Sequence, residues 1–93
     1  MATNTLTDKA IRSALKRAAE DGEASTINDG GGLTLIVRPD GAGWWRLRYW
    51  IAGRENRLSL GTYPDVSLAA ARGRRDEARK LLAEGIDPSE HRK

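Results

Sequence analysis

The chain of 93 residues has no cysteine, one histidine and three prolines. Without cysteine there is neither a disulfide framework nor thiol chemistry, and His91 alone does not make a zinc site. No apolar run reaches the roughly eighteen residues of a membrane span, and no apolar N-terminal segment resembles a secretory signal. These absences favour a cytoplasmic protein with no metal, no other cofactor and no membrane contact.

Catalytic groupings are missing as well. The acidic residues form no pair placed for acid–base chemistry, and no Ser-His-Asp arrangement is available away from the C-terminal histidine. A chain of this length builds one modest core, with little room for an enclosed active site. We therefore expect a single non-enzymatic domain over residues 1–93, with its core at about residues 6–88 and the start of a linker to further domains at residues 89–93.

Positive charge is what the middle of the chain has in excess. The net charge is +3 and the estimated pI is 9.7. Residues 33–66 carry five basic and three acidic side chains, and all five basic ones are arginine. Arginine is favoured over lysine where planar, bidentate contacts to phosphate or guanine are made. The distribution indicates an anionic partner for this section.

Residues 44–51 alternate with a period of two, which is typical of a strand with two different faces. One face is apolar and predicts burial of Trp45, Leu47, Tyr49 and Ile51. The other face carries Trp44, Arg46, Arg48 and Trp50. After Ala52-Gly53 the alternation resumes, with Leu58 and Leu60 against Arg57 and Ser59. A glycine-containing turn between two alternating runs predicts a β-hairpin.

A β-branched, apolar run at Leu33–Arg38 predicts the first main strand, with Leu33, Leu35 and Val37 on its buried side. Three glycines precede it at positions 30–32. Because a strand rather than a helix follows, and no Lys-Ser or Lys-Thr pair is present, they indicate a tight turn with positive φ rather than a phosphate-binding loop. Residues 25–28 are compatible with a short edge strand, and residues 61–65 with a loop.

Two helices are expected. Thr7 is a good N-cap for a helix over Asp8–Ala19, and Ser67 for a longer helix to about Glu84 that ends with Gly85 at the C′ position. The apolar stripe of the second helix consists of Leu68, Ala71, Ala78 and Leu82, with Leu81 at its margin. The predicted fold is α+β: a three-stranded antiparallel β-sheet, order 1-2-3, packed on a C-terminal α-helix, with a short N-terminal helix.

Beside that stripe runs a row of three arginines, Arg72, Arg75 and Arg79. They are expected to be structural, through pairs one turn apart such as Arg72–Asp76, or through stems that cover the edge of the core. The other possibility is that one of them contacts a phosphate.

The second half of the chain resembles a known family. The motif Gly61-x-Tyr63-Pro64-x-x-Ser67-Leu68-Ala69-x-Ala71-Arg72, followed by Ala78-Arg79-x-Leu81-Leu82-Ala83-x-Gly85-x-Asp87-Pro88, is similar to the N-terminal domain of prophage and satellite-phage integrases, which are tyrosine recombinases. The Asp29-Gly-Gly-Gly-Leu33 turn and the Trp45-Arg-x-Arg-Tyr49 strand fit the same domain. The resemblance implies an arm-type DNA-binding module that lays a three-stranded sheet into the major groove, without the catalytic domain.

The hypothesis is a double-stranded DNA-binding module that recognises arm-type sites during integration and excision. The candidate DNA-binding residues are Thr34, Arg38, Trp44, Arg46, Arg48, Trp50, Arg57 and Ser59, on a face expected to carry almost no acid. One alternative is a protein-interaction module that docks an excision factor or another integrase protomer. A third is stacking of single-stranded nucleic acid on Trp44 and Trp50. Other protomers and accessory DNA-bending factors are further possible partners, and the isolated domain is expected to be a monomer.

Overall fold

The computed structural model describes residues 4–92, so the last residue of the expected linker lies outside the described range. The fold is α+β, with one antiparallel sheet whose strands follow each other in the order β1-β2-β3-β4. The elements are α1 (Asp8–Asp21), β1 (Ser25–Gly30), β2 (Leu33–Val37), β3 (Gly43–Ile51), β4 (Arg54–Tyr63), α2 (Leu68–Ala83) and α3 (Pro88–Arg92).

The prediction of three strands is wrong, because the edge strand β1 is a full member of the sheet. It pairs with β2 from Ser25↔Val37 to Gly30↔Leu33. Its sequence, Ser-Thr-Ile-Asn-Asp-Gly, lacks the apolar alternation of the other strands, and most of its side chains are exposed. Because the fully buried side chain of β1 is the charged Asp29, and its apolar residue Ile27 is only partly buried, the sequence pattern predicts β1 weakly.

The predicted parity of the main strands is confirmed. Alternate residues of β2, β3 and β4 point into one core, which both helices also enter through Ile11, Ala18, Leu68, Ala71 and Ala78. The inward strand residues are Leu33, Leu35, Val37, Trp45, Leu47, Tyr49, Leu58 and Leu60. Helices therefore cover one side of the sheet, and the other side stays open.

Both helix starts are as predicted. The hydroxyl of Thr7 accepts the N–H of Ala10, and the hydroxyl of Ser67 accepts the N–H of Ala70. At the end of α2, Gly85 has φ +78°, and the N–H groups of Gly85 and Ile86 donate to carbonyls one turn back. Such a left-handed residue closes the helix and satisfies its last carbonyls.

The C-terminal segment contains a short helix that was not predicted. α2 ends at Ala83, and α3 begins at Pro88. The phenol of Tyr49 joins α3 to the sheet, lying 2.6 Å from the carboxylate of Asp87 and 2.6 Å from the hydroxyl of Ser89. Burial and the hydrogen bond to Asp87 raise the pKa of Tyr49 above its ordinary value. Within residues 4–92, no helix is long and apolar enough to cross a membrane.

The region from residue 61 to 65 is not all loop. β4 continues to Tyr63, whose ring packs edge-on against Trp45 at 6.3 Å between centroids.

At the other end of β4, the turn to β3 has only two residues, Ala52 and Gly53, because Ile51 already pairs with Arg54. Both turn residues have positive φ, +52° for Ala52 and +75° for Gly53. That geometry is typical of a type I′ turn, which favours Asn-Gly.

Ala52→Asn should therefore raise the free energy of unfolding by about 0.5–1 kcal/mol, because asparagine tolerates the left-handed region better than alanine does. Urea denaturation measures the change. Ala19→Asn, in the exposed part of α1, is the matched control and should lower stability by up to about 0.7 kcal/mol through helix propensity. Equal losses in both variants would contradict the strain assigned to Ala52.

Candidate nucleic-acid interface

The open side of the sheet holds the eight residues singled out from the sequence, and we call this surface the basic sheet face. It comprises Thr34, Arg38, Trp44, Arg46, Arg48, Trp50, Arg57 and Ser59. Across the strands, Thr34 lies opposite Arg46, which lies opposite Ser59. One step further along, Arg48 lies opposite Arg57. Arg46, Arg48 and Arg57 are thus neighbours on two adjacent strands.

The two tryptophans of this face are held by arginines. The guanidinium carbon of Arg46 lies 4.4 Å from the ring centroid of Trp44, and that of Arg38 lies 6.0 Å from it. The indole N–H of Trp44 donates to the hydroxyl of Ser59 at 2.7 Å. Trp50 is 57% exposed, with the guanidinium of Arg48 at 5.1 Å from its ring. These cation–π contacts explain how both indoles are kept at a solvated surface.

A groove of about 600 Å³ runs along the face. Its basic wall is formed by Arg46, Arg48 and Arg57, and its opposite wall by the glycine turn and the first two strands. The sequence prediction included Thr34 of this wall but missed Thr26, Asn28 and Ile36. Ile36 follows from the parity of β2, whereas Thr26 and Asn28 join the face only because β1 pairs with β2.

The face also carries an acid, contrary to the expectation of almost none. Glu55 lies opposite Trp50 in the β3–β4 ladder, and its carboxylate is 3.7 Å from Arg48 and 3.9 Å from Arg57. Glu55 belongs to this face because β4 already begins at Arg54. Strand parity counted back from Arg57 would have placed Glu55 on this side.

The glycine turn at one end of the groove is confirmed as a tight turn, since Gly30, Gly31 and Gly32 all have positive φ. The carbonyl of Gly32 accepts the backbone N–H of Arg48 at 2.9 Å. A Cβ atom at Gly32 would collide with the carbonyl oxygen of Arg48. Glycine is therefore required there by close backbone approach, and the turn fixes the backbone of a candidate DNA-binding residue.

Beneath the turn lies a buried ion-pair cluster. Asp29 is fully buried and accepts hydrogen bonds from Arg72 at 2.8 and 2.9 Å and from Arg75 at 3.2 Å. The N–H of Leu6 donates to the same carboxylate at 2.8 Å. Burial by itself raises the pKa of Asp29, but the hydrogen bonds from Arg72 and Leu6 and the charges of both arginines hold it below the ordinary 3.8.

The expected pairing of the α2 arginines is corrected by this cluster. Arg72 pairs with Asp29 rather than with Asp76, and Arg75 bridges Asp29 and Asp76. Arg79 donates to the carbonyl of Gly31 at 3.2 Å. Spacing along the helix predicted a local partner, but a buried carboxylate from a distant strand competes better because it has lost its water. The same contacts direct these arginines to the glycine turn.

Comparisons with known proteins show the family of the chain. A family model described as Arm DNA-binding domain matches residues 6–93. Over 93 residues the chain is 40% identical to "Prophage integrase IntA" of Escherichia coli strain K12, covering 98% of this chain and 22% of that protein. It is 54% identical over 61 residues to "Putative protein IntB" of the same strain, covering 66% of the chain and 15% of that protein.

A phage protein is similar to the same extent. The "Integrase" of Enterobacteria phage P4 is 52% identical over 62 residues, covering 64% of the chain and 14% of that protein. The chain therefore spans less than a quarter of the length of these relatives. The region they share with it is the non-catalytic, N-terminal part of larger integrases. Because the family model covers almost the whole chain, this protein belongs to the arm DNA-binding domain family of phage and prophage integrases.

Proposed function

We propose that the basic sheet face binds the major groove of duplex DNA at arm-type sites during site-specific integration and excision. The observation that carries this proposal is a row of three arginines, with Arg46 half-buried and Arg48 and Arg57 exposed, on the side of the sheet that none of the helices within residues 4–92 covers. Arg46, Arg48 and Arg57 project from two adjacent strands, beside a groove whose other residues are neutral. Arginine forks of this kind bind guanine edges and phosphates bidentately.

The width of the sheet suits the major groove. Strands lie about 4.8 Å apart, so the backbones of β2, β3 and β4 span about 10 Å against a groove about 12 Å wide. In this arrangement β1 lies at the rim, beside a phosphate strand. Thr34 and Ser59, with short polar side chains, let Arg46, which lies between them, approach the base edges.

The roles divide between affinity and specificity. Arg38 lies just beyond the end of β2 and is exposed, so we assign it a phosphate contact. Arg46, Arg48 and Arg57 are central, and we assign them base contacts. Trp44 and Trp50 are placed to touch thymine methyl groups or sugars. Phosphate contacts position the domain in this scheme, and base contacts select the sequence.

Binding should depend strongly on salt. If the face neutralises about four phosphates, the logarithm of the association constant should fall with the logarithm of salt concentration with a slope near −3.6. Fluorescence anisotropy with duplexes from the ends of the host mobile element, repeated at several salt concentrations, measures the slope. An unrelated duplex should show weaker binding with a similar slope. A slope near zero would rule out phosphate-driven binding.

Stacking of single strands is disfavoured by the geometry. Arg46 lies over one face of Trp44 and Arg48 over one face of Trp50, so a base that stacked on these faces would first have to displace a guanidinium group. Competition by single-stranded DNA in the same titration should therefore be weak.

The exposure of Trp50 favours a second candidate function, docking of a protein partner such as an excision factor or another protomer, because tryptophan and arginine dominate interface hot spots. Such an interface would respond less to salt.

The wider context is part of the same proposal. In the full protein this domain would be followed by a linker that begins near residue 89, and by the catalytic part of the recombinase. Other protomers or DNA-bending factors would assemble on the DNA, while the isolated domain binds as a monomer. Its substrate would place it in the bacterial cytoplasm.

A further inference from the structure

We propose that Glu55 is a positioning residue that sets sequence specificity, because it orients Arg48 and Arg57 toward base edges and keeps them from neighbouring phosphates. The inference rests on the proposed function of the basic sheet face. It assigns a role to the acid that the sequence pattern had not placed on this face.

The four residues at this end of the face form one cluster. Arg48 and Arg57 are direct cross-strand neighbours, and the carboxylate of Glu55 lies within 4 Å of both guanidinium groups. Trp50 lies opposite Glu55 and carries the guanidinium of Arg48 over its ring. Each arginine is thereby held on one flank, and Arg48 on two. More than half of the side chain of each arginine remains exposed for a ligand.

Two like charges directly opposite each other on a sheet repel, and Glu55 relieves that repulsion. Stability alone does not explain the arrangement, because exposed ion pairs contribute little to it. On DNA, however, a carboxylate beside the arginines acts on the ligand. It repels phosphate, and it fixes the planes of two flexible side chains, so fewer rotamers must be frozen when they meet a base pair. Both effects favour base contacts over backbone contacts.

The test compares Glu55→Gln with Glu84→Gln, which removes the same charge from an exposed position at the end of α2, away from the face. The first probe is a duplex enriched by the wild-type chain from a random pool, and the second is a duplex of the same composition in shuffled order. Glu55→Gln should bind the shuffled duplex more tightly, with a salt slope steeper by up to about 0.9, as a released arginine reaches a phosphate. Its discrimination between the two duplexes should fall by about tenfold, which is within the worth of one bidentate base contact.

Single-base substitutions in the enriched duplex show at which base pairs Glu55→Gln loses discrimination. The base pairs at which Glu55→Gln loses discrimination should be those at which Arg48→Ala or Arg57→Ala loses it. Glu84→Gln should keep the wild-type discrimination, and all variants should melt within a few degrees of the wild type.

Two outcomes would overturn the inference. One is unchanged discrimination in Glu55→Gln, even if both duplexes bind more tightly in parallel, and the other is a loss at base pairs that neither arginine variant affects. If the wild-type chain enriches no duplex sequence from the random pool, both the proposed function and the role of Glu55 are wrong. If the wild type discriminates and Glu55→Gln does so equally, only the role of Glu55 is wrong.

Discussion

Asp29→Asn should lower the free energy of unfolding by about 3–5 kcal/mol, the usual cost of removing one partner from a buried ion pair. The carboxylate has no exposed surface, and Arg75 is almost as deeply buried. Asparagine has nearly the same shape but no charge, so Arg75 would keep a buried charge with, among residues 4–92, its ion pair to Asp76 alone. Chemical denaturation of the 93-residue chain measures the loss.

The effect should extend to the DNA-binding surface, because the cluster lies beneath the glycine turn. Arg75 packs against Gly31, and Arg79 donates to the carbonyl of the same residue. From there the chain leads to Gly32, which accepts the backbone N–H of Arg48. The Asp29→Asn substitution should therefore also make the backbone of β3 at Arg48, a candidate base-contacting residue, less rigid.

Asp76→Asn is the matched control for this prediction. It makes the same substitution at a carboxylate that also binds Arg75, at 2.9 Å, but whose side chain is 62% exposed. Exposed pairs contribute about 0–1 kcal/mol, so the control should lose little stability. Similar losses in both variants would show that burial of Asp29 is not what makes its charge important.

Acid provides an independent measurement of the same cluster. Because the pKa of Asp29 is lower in the folded protein than in the unfolded chain, its contribution is complete above the unfolded pKa. The contribution is lost as the pH falls below about 4 and through the lowered folded value. The stability difference between the wild type and Asp29→Asn should therefore shrink in this acidic range. A difference that stays constant down to low pH would contradict the lowered pKa.

Substitutions at two adjacent residues of β3 should have opposite effects, one on stability and the other on DNA affinity. Leu47→Ala should cost about 2–5 kcal/mol of stability, because Leu47 is almost fully buried and its truncation leaves a cavity. Arg48→Ala should leave stability within about 0.5 kcal/mol of the wild type, as exposed substitutions usually do. It should instead weaken binding to the enriched duplex by about 1–3 kcal/mol, the worth of a bidentate base contact.

Melting temperature and duplex affinity, measured on both variants, separate the two faces of the strand. Leu47→Ala should bind DNA with unchanged affinity once the unfolded fraction is subtracted. A matched control for Arg48→Ala is Arg17→Ala, which removes an exposed arginine from α1, away from the face. If Arg17→Ala reduced affinity as much as Arg48→Ala, general electrostatics rather than the sheet face would account for binding.

The sequence by itself determined the features that depend on neighbours along the chain. The alternation at residues 44–51 predicted which side chains of β3 enter the core, because a strand turns successive side chains to opposite faces. Thr7, Ser67 and Gly85 predicted the helix ends, since caps satisfy backbone groups within a few residues. The same parity places the eight candidate residues on one face. The motif after Gly61 resembles the family to which the chain belongs.

Only the tertiary structure decided the features that join distant parts of the chain. β1 joins the sheet by backbone pairing with β2, and the pattern of its side chains does not predict this pairing. Asp29 took its partners 43 and 46 residues away, where desolvation makes a buried carboxylate bind arginine more strongly than an exposed one does. Glu55 reached the arginines because the hairpin turn is only two residues long. Local periodicity records which face a residue occupies, whereas burial and cross-strand distance set its charge partners, and both depend on the packed chain.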